Sequence, residues 1–493
     1  MFKKILIANR GEIAVRIERT CREMGIQSVA LYHPSDIGSL HVRLADQALR
    51  LTSELGYLDQ EAIIAHALEH GAEAIHPGYG FLAEQPEFAR ACAAAGLIFI
   101  GPRPEVIAAV RNKIATLECV GAARFHIAQH SPATFGVGDL EQLRAAAGTL
   151  GYPLVIKSCR GGRGRGTRVV RSPEHLDEAV RHAQAGAEAL FGDAQVYLER
   201  AILPSRYVEV QLLGDGHGNL IHLGERDTSI QRNNQKIVTE APAPSLEQAQ
   251  REALWRDAIE IGRLFGCHSA CTVEFVIDGD GRRYFTEIKA RIQIEHSISE
   301  MIANVDIVRE QIRIADSEQL SISQADIALS GSAMQCRINA EDPWNRFLPS
   351  PGHITGLRLP GGPFVRVDTY VSCGCEIPLH YDPIFAKLVT WGADRDACVS
   401  RMRRALEECS VAGIQTNIPL LHGVLRDPDF IRGVYTTEFS RRPLITNDTS
   451  ERELHDLAAA AAVAYLRRVA GSQISLPERL SSGWHQNSRH LPE

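Results

Sequence analysis

The sequence predicts an α/β protein. Its first part reads as a helix-covered parallel sheet, its middle as strand hairpins and its last part as β-rich. Three observations carry this. A short apolar run, a turn and a helix-spaced stretch follow one another at the N-terminus. A strand pattern enters a Gly-rich segment at 161–166, and Asp-Gly turns at 278–281 join two alternating runs. After about Ser330, short strand patterns, prolines and glycines dominate.

Each element has a local reason. Ile5-Leu6-Ile7-Ala8 is a short apolar run, the pattern of a buried strand. Asn9-Arg10-Gly11 is a turn, then Ile13, Ile17, Cys21 and Met24 recur at near-helical spacing, and Gly25 sits where a helix stops. Ser28–Tyr32 supplies the next strand, completing a βαβ unit that implies a parallel sheet. Helices are expected at Gln60–His70 and Pro86–Ala95, and strands at Ala74–His76 and Ile98–Ile100. Pro153–Lys157 and Val169-Val170 flank the glycines as a hairpin. Cys271–Ile277 and Arg282–Lys289 flank Asp278–Gly281 as another, because Asp-Gly between alternating runs is a strong hairpin signal. In the tail, Ser450 and Glu453 form a capping box ahead of the Ala-rich helix around Leu457–Ala462, followed by a polar segment to Glu493 that reads as mobile.

Composition narrows the function. The chain has 493 residues, 44% hydrophobic and 23% charged, which suits a globular protein of several domains. A net charge of −7 disfavours nucleic-acid binding, which usually needs a basic surplus. The 11 cysteines include no Cys-x-x-Cys, so free thiols in a reducing cytoplasm are expected rather than a disulfide framework. The N-terminal apolar run is too short for a signal peptide, and no apolar stretch approaches the ~20 residues of a membrane helix.

Several segments could carry chemistry. Lys157 leads into Arg160-Gly161-Gly162-Arg163-Gly164, where glycines let backbone N–H groups approach phosphate and Lys157 supplies a cation. Alone, this reads sooner as a flexible basic surface loop. If Asp278–Gly281 is the hairpin loop, Glu274 lies opposite Phe285 with Glu287 diagonal to it, close enough for both carboxylates to share a divalent cation. Beyond it, Glu287, Lys289, Arg291, Gln293 and Glu295 alternate with Ile288, Ala290, Ile292 and Ile294. That period of two predicts a strand whose polar face is either wet or a site for a metal, an oxyanion and a general base. The polar stretch Glu225–Lys236 reads, taken alone, as a solvated loop. Arg337 reads as a salt-bridge partner.

Together these segments resemble biotin carboxylase, the ATP-grasp component of biotin-dependent carboxylases. The matching blocks are Ile7–Ala14, His76–Leu82, Arg291–His296, Cys336–Pro343 and Phe347–Gly352, within a similarity running from Lys3 to about Phe439. The resemblance implies a Rossmann-like N-terminal domain over 1–112 and an ATP-grasp domain over 113–330 with a mobile lid at about 130–203. A C-terminal domain over 331–445 and a helical tail over 446–493 complete it. It implies carboxylation of biotin by bicarbonate, with ATP and Mg²⁺ or Mn²⁺, through carboxyphosphate. By motif, Lys113, Lys157 and the glycines 161, 162 and 164 (Gly161, Gly162, Gly164) would meet ATP phosphates, Glu199, Arg200 and Ile202 would hold adenine, and Gln231 would contact the nucleotide. Glu274 and Glu287 would ligate the metal. Lys236, Arg291, Gln293 and Ile294 would bind bicarbonate, Glu295 would be the base, and Arg337 would stabilise the biotin enolate.

The chain also departs from that pattern. Tyr207 and Asn234 stand where the family has His, Arg200 stands for Lys, and Arg160 and Arg163 interrupt the glycines. Lys289 occupies an Asn position beside the metals, where a cation repels Mg²⁺ unless it substitutes for one or swings away. No Met-Lys-Met biotin acceptor occurs, so biotin is expected on a separate carrier protein, with a carboxyltransferase subunit as further partner. The Ala-rich tail and Gly483-Trp484 look like the junction of a longer fused chain that stops before its carrier. A cytoplasmic homodimer is expected, with neither nucleic acid nor membrane as partner. Lys289, Arg160 and Arg163 motivate a second reading, a paralogue that binds nucleotide or partner subunits without efficient turnover. An ATP-grasp ligase with another acceptor is disfavoured by Arg291, Gln293, Glu295 and Arg337.

Overall fold

The run Ile5-Leu6-Ile7 is buried on both faces, as a central parallel strand requires. It forms most of β1 (Lys4–Ile7), which leads through α1 (Gly11–Glu23) to β2 (Gln27–Tyr32) and β3 (Gln47–Arg50). Then come α2 (Gln60–Glu69), β4 (Ala74–His76), α3 (Pro86–Ala94) and β5 (Ile98–Phe99). The five strands are parallel in the order β3-β2-β1-β4-β5. The Asn9–Glu12 turn ties this sheet together. Asn9 Nδ2 donates to the carbonyls of Pro77 (2.6 Å) and Tyr79 (2.8 Å), and Arg10 pairs with Asp36 (Nε–Oδ1 2.9 Å) between the rings of Tyr370 and Tyr381. Gly11 has φ +71, and a Cβ there would stand 3.3 Å from the Tyr370 ring, so both backbone and space call for glycine.

The computed structural model describes residues 1–159, 168–232, 234–439, 442 and 449–471. Residues 1–444 form one compact unit and 445–493 another. The second, where described, is the helix Thr449–Gly471, which contains Ser450, the expected cap.

In the first unit, α4 (Lys113–Ala122) and α5 (Leu140–Leu150) precede β6 (Leu154–Ser158), β7 (Arg168–Val170), α6 (Leu176–Phe191) and β8 (Val196–Arg200). The antiparallel sheet β7-β6-β8 and its helices bury their own cluster, including Leu143, Leu154, Ile156, Val180 and Leu198. Arg160, Gly161, Gly162, Arg163 and Gly164 lie outside the described residues.

A larger sheet follows. It uses β9 (Ser205–Gly214), β10 (Leu220–Arg232), β11 (Gln235–Ala241), β12 (Ser269–Asp278) and β13 (Arg283–Lys289), with α7 (Gln248–Leu264) between β11 and β12. After α8 (His296–Ala303), β14 (Ser332–Asn339), β15 (Val365–Thr369) and β16 (Ile384–Gly392) extend it to eight strands, ordered β13-β12-β9-β10-β11-β14-β16-β15. The β-rich C-terminal part therefore adds strands to the central sheet, and the helix Arg395–Glu408 packs on β16.

Three sequence expectations need correction. Glu225–Lys236 is not a solvated loop: it belongs to β10, its turn and β11, and Glu225–Ser229 are buried. Burial is possible because the charges are partnered. Glu225 accepts from Trp255 Nε1 (2.7 Å) and Arg251 Nε (2.8 Å), and Asp227 Oδ1 accepts from the Ser229 N–H. The alternating strand expected through Glu295 ends at Lys289, and Gln293–Glu295 turn into α8 with the His296 N–H on the Gln293 carbonyl. Finally, Glu274 faces Glu287 directly rather than Phe285, because the loop runs one residue further, to Arg282, and the register then shifts between Glu274 and Phe275. Thr286 is the extra residue, and its hydroxyl donates to the Glu274 carbonyl at 2.9 Å.

Candidate active site

Four charged residues stand side by side across four strands. Glu287 on β13 faces Glu274 on β12, Glu274 faces Glu209 on β9, and Glu209 faces Arg226 on β10. Residues in register share one face of a sheet. Like charges directly opposite one another are destabilising, so such a row persists only with cations beside it. Arg226 Nε donates to Glu209 Oε1 at 2.7 Å. Lys236 on β11 ion-pairs with Glu209 Oε2 and lies 3.0 Å from Glu274 Oε1. Lys289 Nζ is 2.8 Å from Glu287 Oε2, and Lys113 Nζ, at the start of α4, is 3.5 Å from the same oxygen. The row is sealed at one end and open at the other: the side chains of Glu209 and Arg226 are 0% exposed, that of Glu287 19%.

The segment after β13 brings a second group to this row. Gln293 Nε2 donates to Glu274 Oε1 at 3.1 Å, and Arg291 Nη1 donates to Gln293 Oε1 at 3.0 Å. Arg291 Nε also pairs with Glu84 at 2.9 Å. Tyr207 donates to Glu274 Oε2 at 2.7 Å. Glu295 is wholly buried, and its Oε1 takes Arg337 Nε at 3.0 Å. Its other oxygen, Oε2, has no hydrogen-bond partner among the described residues. A buried carboxylate oxygen without a donor is costly, so this atom can accept a hydrogen bond from a protonated group.

Electrostatics follow the contacts. Burial alone would raise the Glu295 carboxyl, but Arg337 and Lys236 outweigh it and hold it at about 2. Burial works against the Lys236 ammonium, yet Glu209, Glu274 and Glu295 raise its pKa. At the open end, burial would raise Glu287, but Lys113 and Lys289 lower it. Burial disfavours the charge on Lys289, and Glu287, Glu84 and Glu274 restore it. Lys113 is pushed down by burial, with Lys289 and Lys157 adding to the effect.

The other anticipated residues fall in two groups. Lys157 pairs with Glu199 at 2.6 Å, and Glu199 also accepts from Tyr197 at 2.8 Å. Their charges reach Lys113, which links this pair to the row. The Ile294 carbonyl accepts from the buried Lys387 at 3.3 Å. Gln231 donates to the Thr228 carbonyl at 2.9 Å, Asn234 sits at φ +61 in the turn before β11, and Ile202 is half-buried. Arg200 does not join the row: its Nη1 donates to the Leu150 carbonyl at 3.1 Å. Glu209, Arg226 and Glu84 were missed from sequence. A glutamate and a glutamine alternating with Val208, Val210 and Leu212 is the signal that could have revealed Glu209.

Glu274 and Glu287 offer hard oxygen donors of the kind Mg²⁺ takes. Among the described residues, the one metal-competent trio of His, Cys, Asp or Glu is His66, Glu69 and His70, at the end of α2. A cation at the glutamate row would therefore have two protein carboxylates and complete its shell with ligand oxygens. Phosphates supply those oxygens, so the residues fit a metal that arrives with a nucleotide.

The chain matches three sequence families in succession. These are the N-terminal domain of biotin carboxylase over residues 1–107, the ATP-binding domain of the carbamoyl-phosphate synthase L chain over 113–323, and the C-terminal domain of biotin carboxylase over 335–442. It is 45% identical over 442 residues to a biotin carboxylase of Nostoc sp., covering 89% of this chain and 98% of that one. It is 44% identical over 463 residues to the 2-oxoglutarate carboxylase small subunit of Hydrogenobacter thermophilus, covering 93% and 98%. The crystal structure of the biotin carboxylase domain dimer of the H. thermophilus 2-oxoglutarate carboxylase holds MgADP, ADP and bicarbonate. It superposes with a TM-score of 0.87 at 43% identity, over 91% of this chain and 100% of that one. Among the described residues, no helix is long and apolar enough to cross a membrane.

Proposed function

This chain belongs to the biotin carboxylase family, and we propose from that premise how its own residues carboxylate biotin with ATP and bicarbonate. The enzyme is an ATP-dependent ligase that uses Mg²⁺ and acts on biotin. The observation that carries the residue-level reading is the glutamate row with the open Glu295 Oε2 beside it. Lys113 and Lys157 meet the nucleotide phosphates. Glu274 and Glu287 hold the divalent cation, which when bound neutralises phosphate charge and orients the phosphoryl group for transfer. Lys236 and Arg291 hold the bicarbonate anion, with Gln293 and the Ile294 backbone fixing its orientation.

Glu295 Oε2 accepts the bicarbonate proton. Its low pKa means that the proton moves as the bicarbonate oxygen bonds to phosphorus, when that proton becomes acidic. Carboxyphosphate and ADP are the products of this step. Carboxyphosphate then breaks its C–O bond to give CO2 and inorganic phosphate; the phosphate takes the biotin N1′ proton, and N1′ bonds the CO2 carbon. Arg337, which in this structure pairs with Glu295, stabilises the negative charge on the biotin ureido oxygen. Biotin comes on a separate carrier chain, and a carboxyltransferase subunit takes the carboxyl group onward. The chain works as a homodimer, as the H. thermophilus domain does, and in the cytoplasm, a compartment that its eleven free cysteines suit.

The test uses purified full-length chain with MgATP, [14C]bicarbonate and free biotin. ADP formation should require bicarbonate, rise with biotin and accompany acid-labile labelled biotin. ADP release that ignores bicarbonate, or nucleotide binding without turnover, would overturn this reading in favour of a non-catalytic paralogue.

A further inference from the structure

The open end of the glutamate row holds a cation that phosphoryl transfer does not require to be a side chain. Lys289 is the last residue of β13, two residues from Glu287 and on the same face. Its side chain is 6% exposed, and its ammonium lies 2.8 Å from Glu287 Oε2. The Lys113 ammonium is 3.5 Å from that same oxygen. Glu274 is engaged by Lys236 and Gln293 at Oε1 and by Tyr207 at Oε2.

Phosphoryl-transfer sites commonly place two divalent cations between carboxylates and phosphates. A divalent ion on Glu287 Oε2 would sit about 2.1 Å from it. Even on separate lone pairs, it and the Lys289 ammonium would be only about 4 Å apart, with Lys113 behind them. Glu287 thus already carries a positive charge where a second dication would sit.

We propose that the Lys289 ammonium stands in for a second divalent cation at Glu287, so that this chain takes up a single Mg²⁺ or Mn²⁺ with each nucleotide. The inference rests on the reading of Glu274 and Glu287 as the nucleotide-metal ligands. The fixed cation neutralises phosphate charge whether or not free metal is abundant. Turnover should then respond to the metal-nucleotide complex and not to metal added beyond it.

The experiment counts Mn²⁺ by electron paramagnetic resonance on the full chain saturated with the β,γ-imido analogue of ATP, with analogue retention measured in parallel. Wild type should saturate at one Mn²⁺ per chain. Lys289→Asn should saturate at two, and so should Lys289→Met, which removes the charge but keeps an apolar stem. Two Mn²⁺ in wild type would overturn the proposal whatever the variants do. So would one Mn²⁺ in all three proteins, with thermal melts showing the variants folded. Analogue retained by wild type without any Mn²⁺ would sink the Glu274–Glu287 reading itself, a result distinct from either count.

Discussion

Glu209→Gln isolates the buried half of the row, because Glu209 touches Arg226 and Lys236 and no proposed substrate group. Arg226 is 0% exposed, and among the described residues its hydrogen-bond partners beyond Glu209 are neutral: Gln211 (2.8 Å), Ser299 (2.8 Å) and Thr272 (3.4 Å). Removing one partner of a buried ion pair costs about 3–5 kcal/mol. The Gln carbonyl still accepts one bond, worth about 1 kcal/mol, which leaves about 2–4 kcal/mol. For a unit of 444 residues, with an unfolding entropy of about 2.1 cal/mol/K per residue, this is a fall of about 2–4 °C in Tm. Lys236 keeps Glu274 at 3.0 Å, so its charge persists while one tether is lost. The KM for bicarbonate should rise about tenfold, equivalent to about 1.4 kcal/mol, with the KM for ATP unchanged. Scanning calorimetry and initial-rate kinetics read both effects. Adding Arg226→Met should recover part of the lost Tm, because the uncompensated buried charge is then gone. An unchanged Tm, or parallel shifts in both KM values, would refute the positioning role.

Two further outcomes follow from the contacts. Glu295 is held near 2 against an ordinary 4.5, so its ion pairs stabilise the protein fully above about pH 4.5 and are lost as pH falls through about 2. The difference corresponds to about 3 kcal/mol, and a Glu295→Gln variant should lack it: the gap between the two urea-unfolding curves should close across that pH window, and a constant gap would contradict the assignment. Lys113→Met should raise the KM for ATP by about 10- to 100-fold, the value of a charged hydrogen bond of about 1.5–3 kcal/mol, while bicarbonate KM stays put. Equal loss for both substrates would place Lys113 elsewhere.

Much of this was legible in one dimension, and the failures have specific causes. Ile5–Ile7 and Ala74–His76 could be read as parallel strands because burial on both faces leaves continuous apolar runs. The Glu274–Glu287 hairpin was legible from Asp-Gly and alternation, but its register was not. The loop runs one residue further, to Arg282, with Gly281 at φ +80, and Thr286 inserts a bulge that alternation does not mark. The charges of Glu225–Lys236 looked wet because their partners, Arg251, Trp255 and Arg206, lie on other elements. The alternation to Glu295 was real in composition but not in structure. β13 leaves the sheet at Lys289 although β12 runs on to Ser269, and Gln293–Glu295 turn into α8. The charges that compose the site were visible; the strand-to-strand pairing that aligns three glutamates was not.

The most direct test follows oxygen atoms. If bicarbonate attacks the terminal phosphorus with Glu295 taking its proton, 18O-labelled bicarbonate should leave one labelled oxygen in the inorganic phosphate formed during biotin carboxylation, read by mass spectrometry or by the isotope shift in 31P NMR. Phosphate carrying oxygen from water alone would contradict the account.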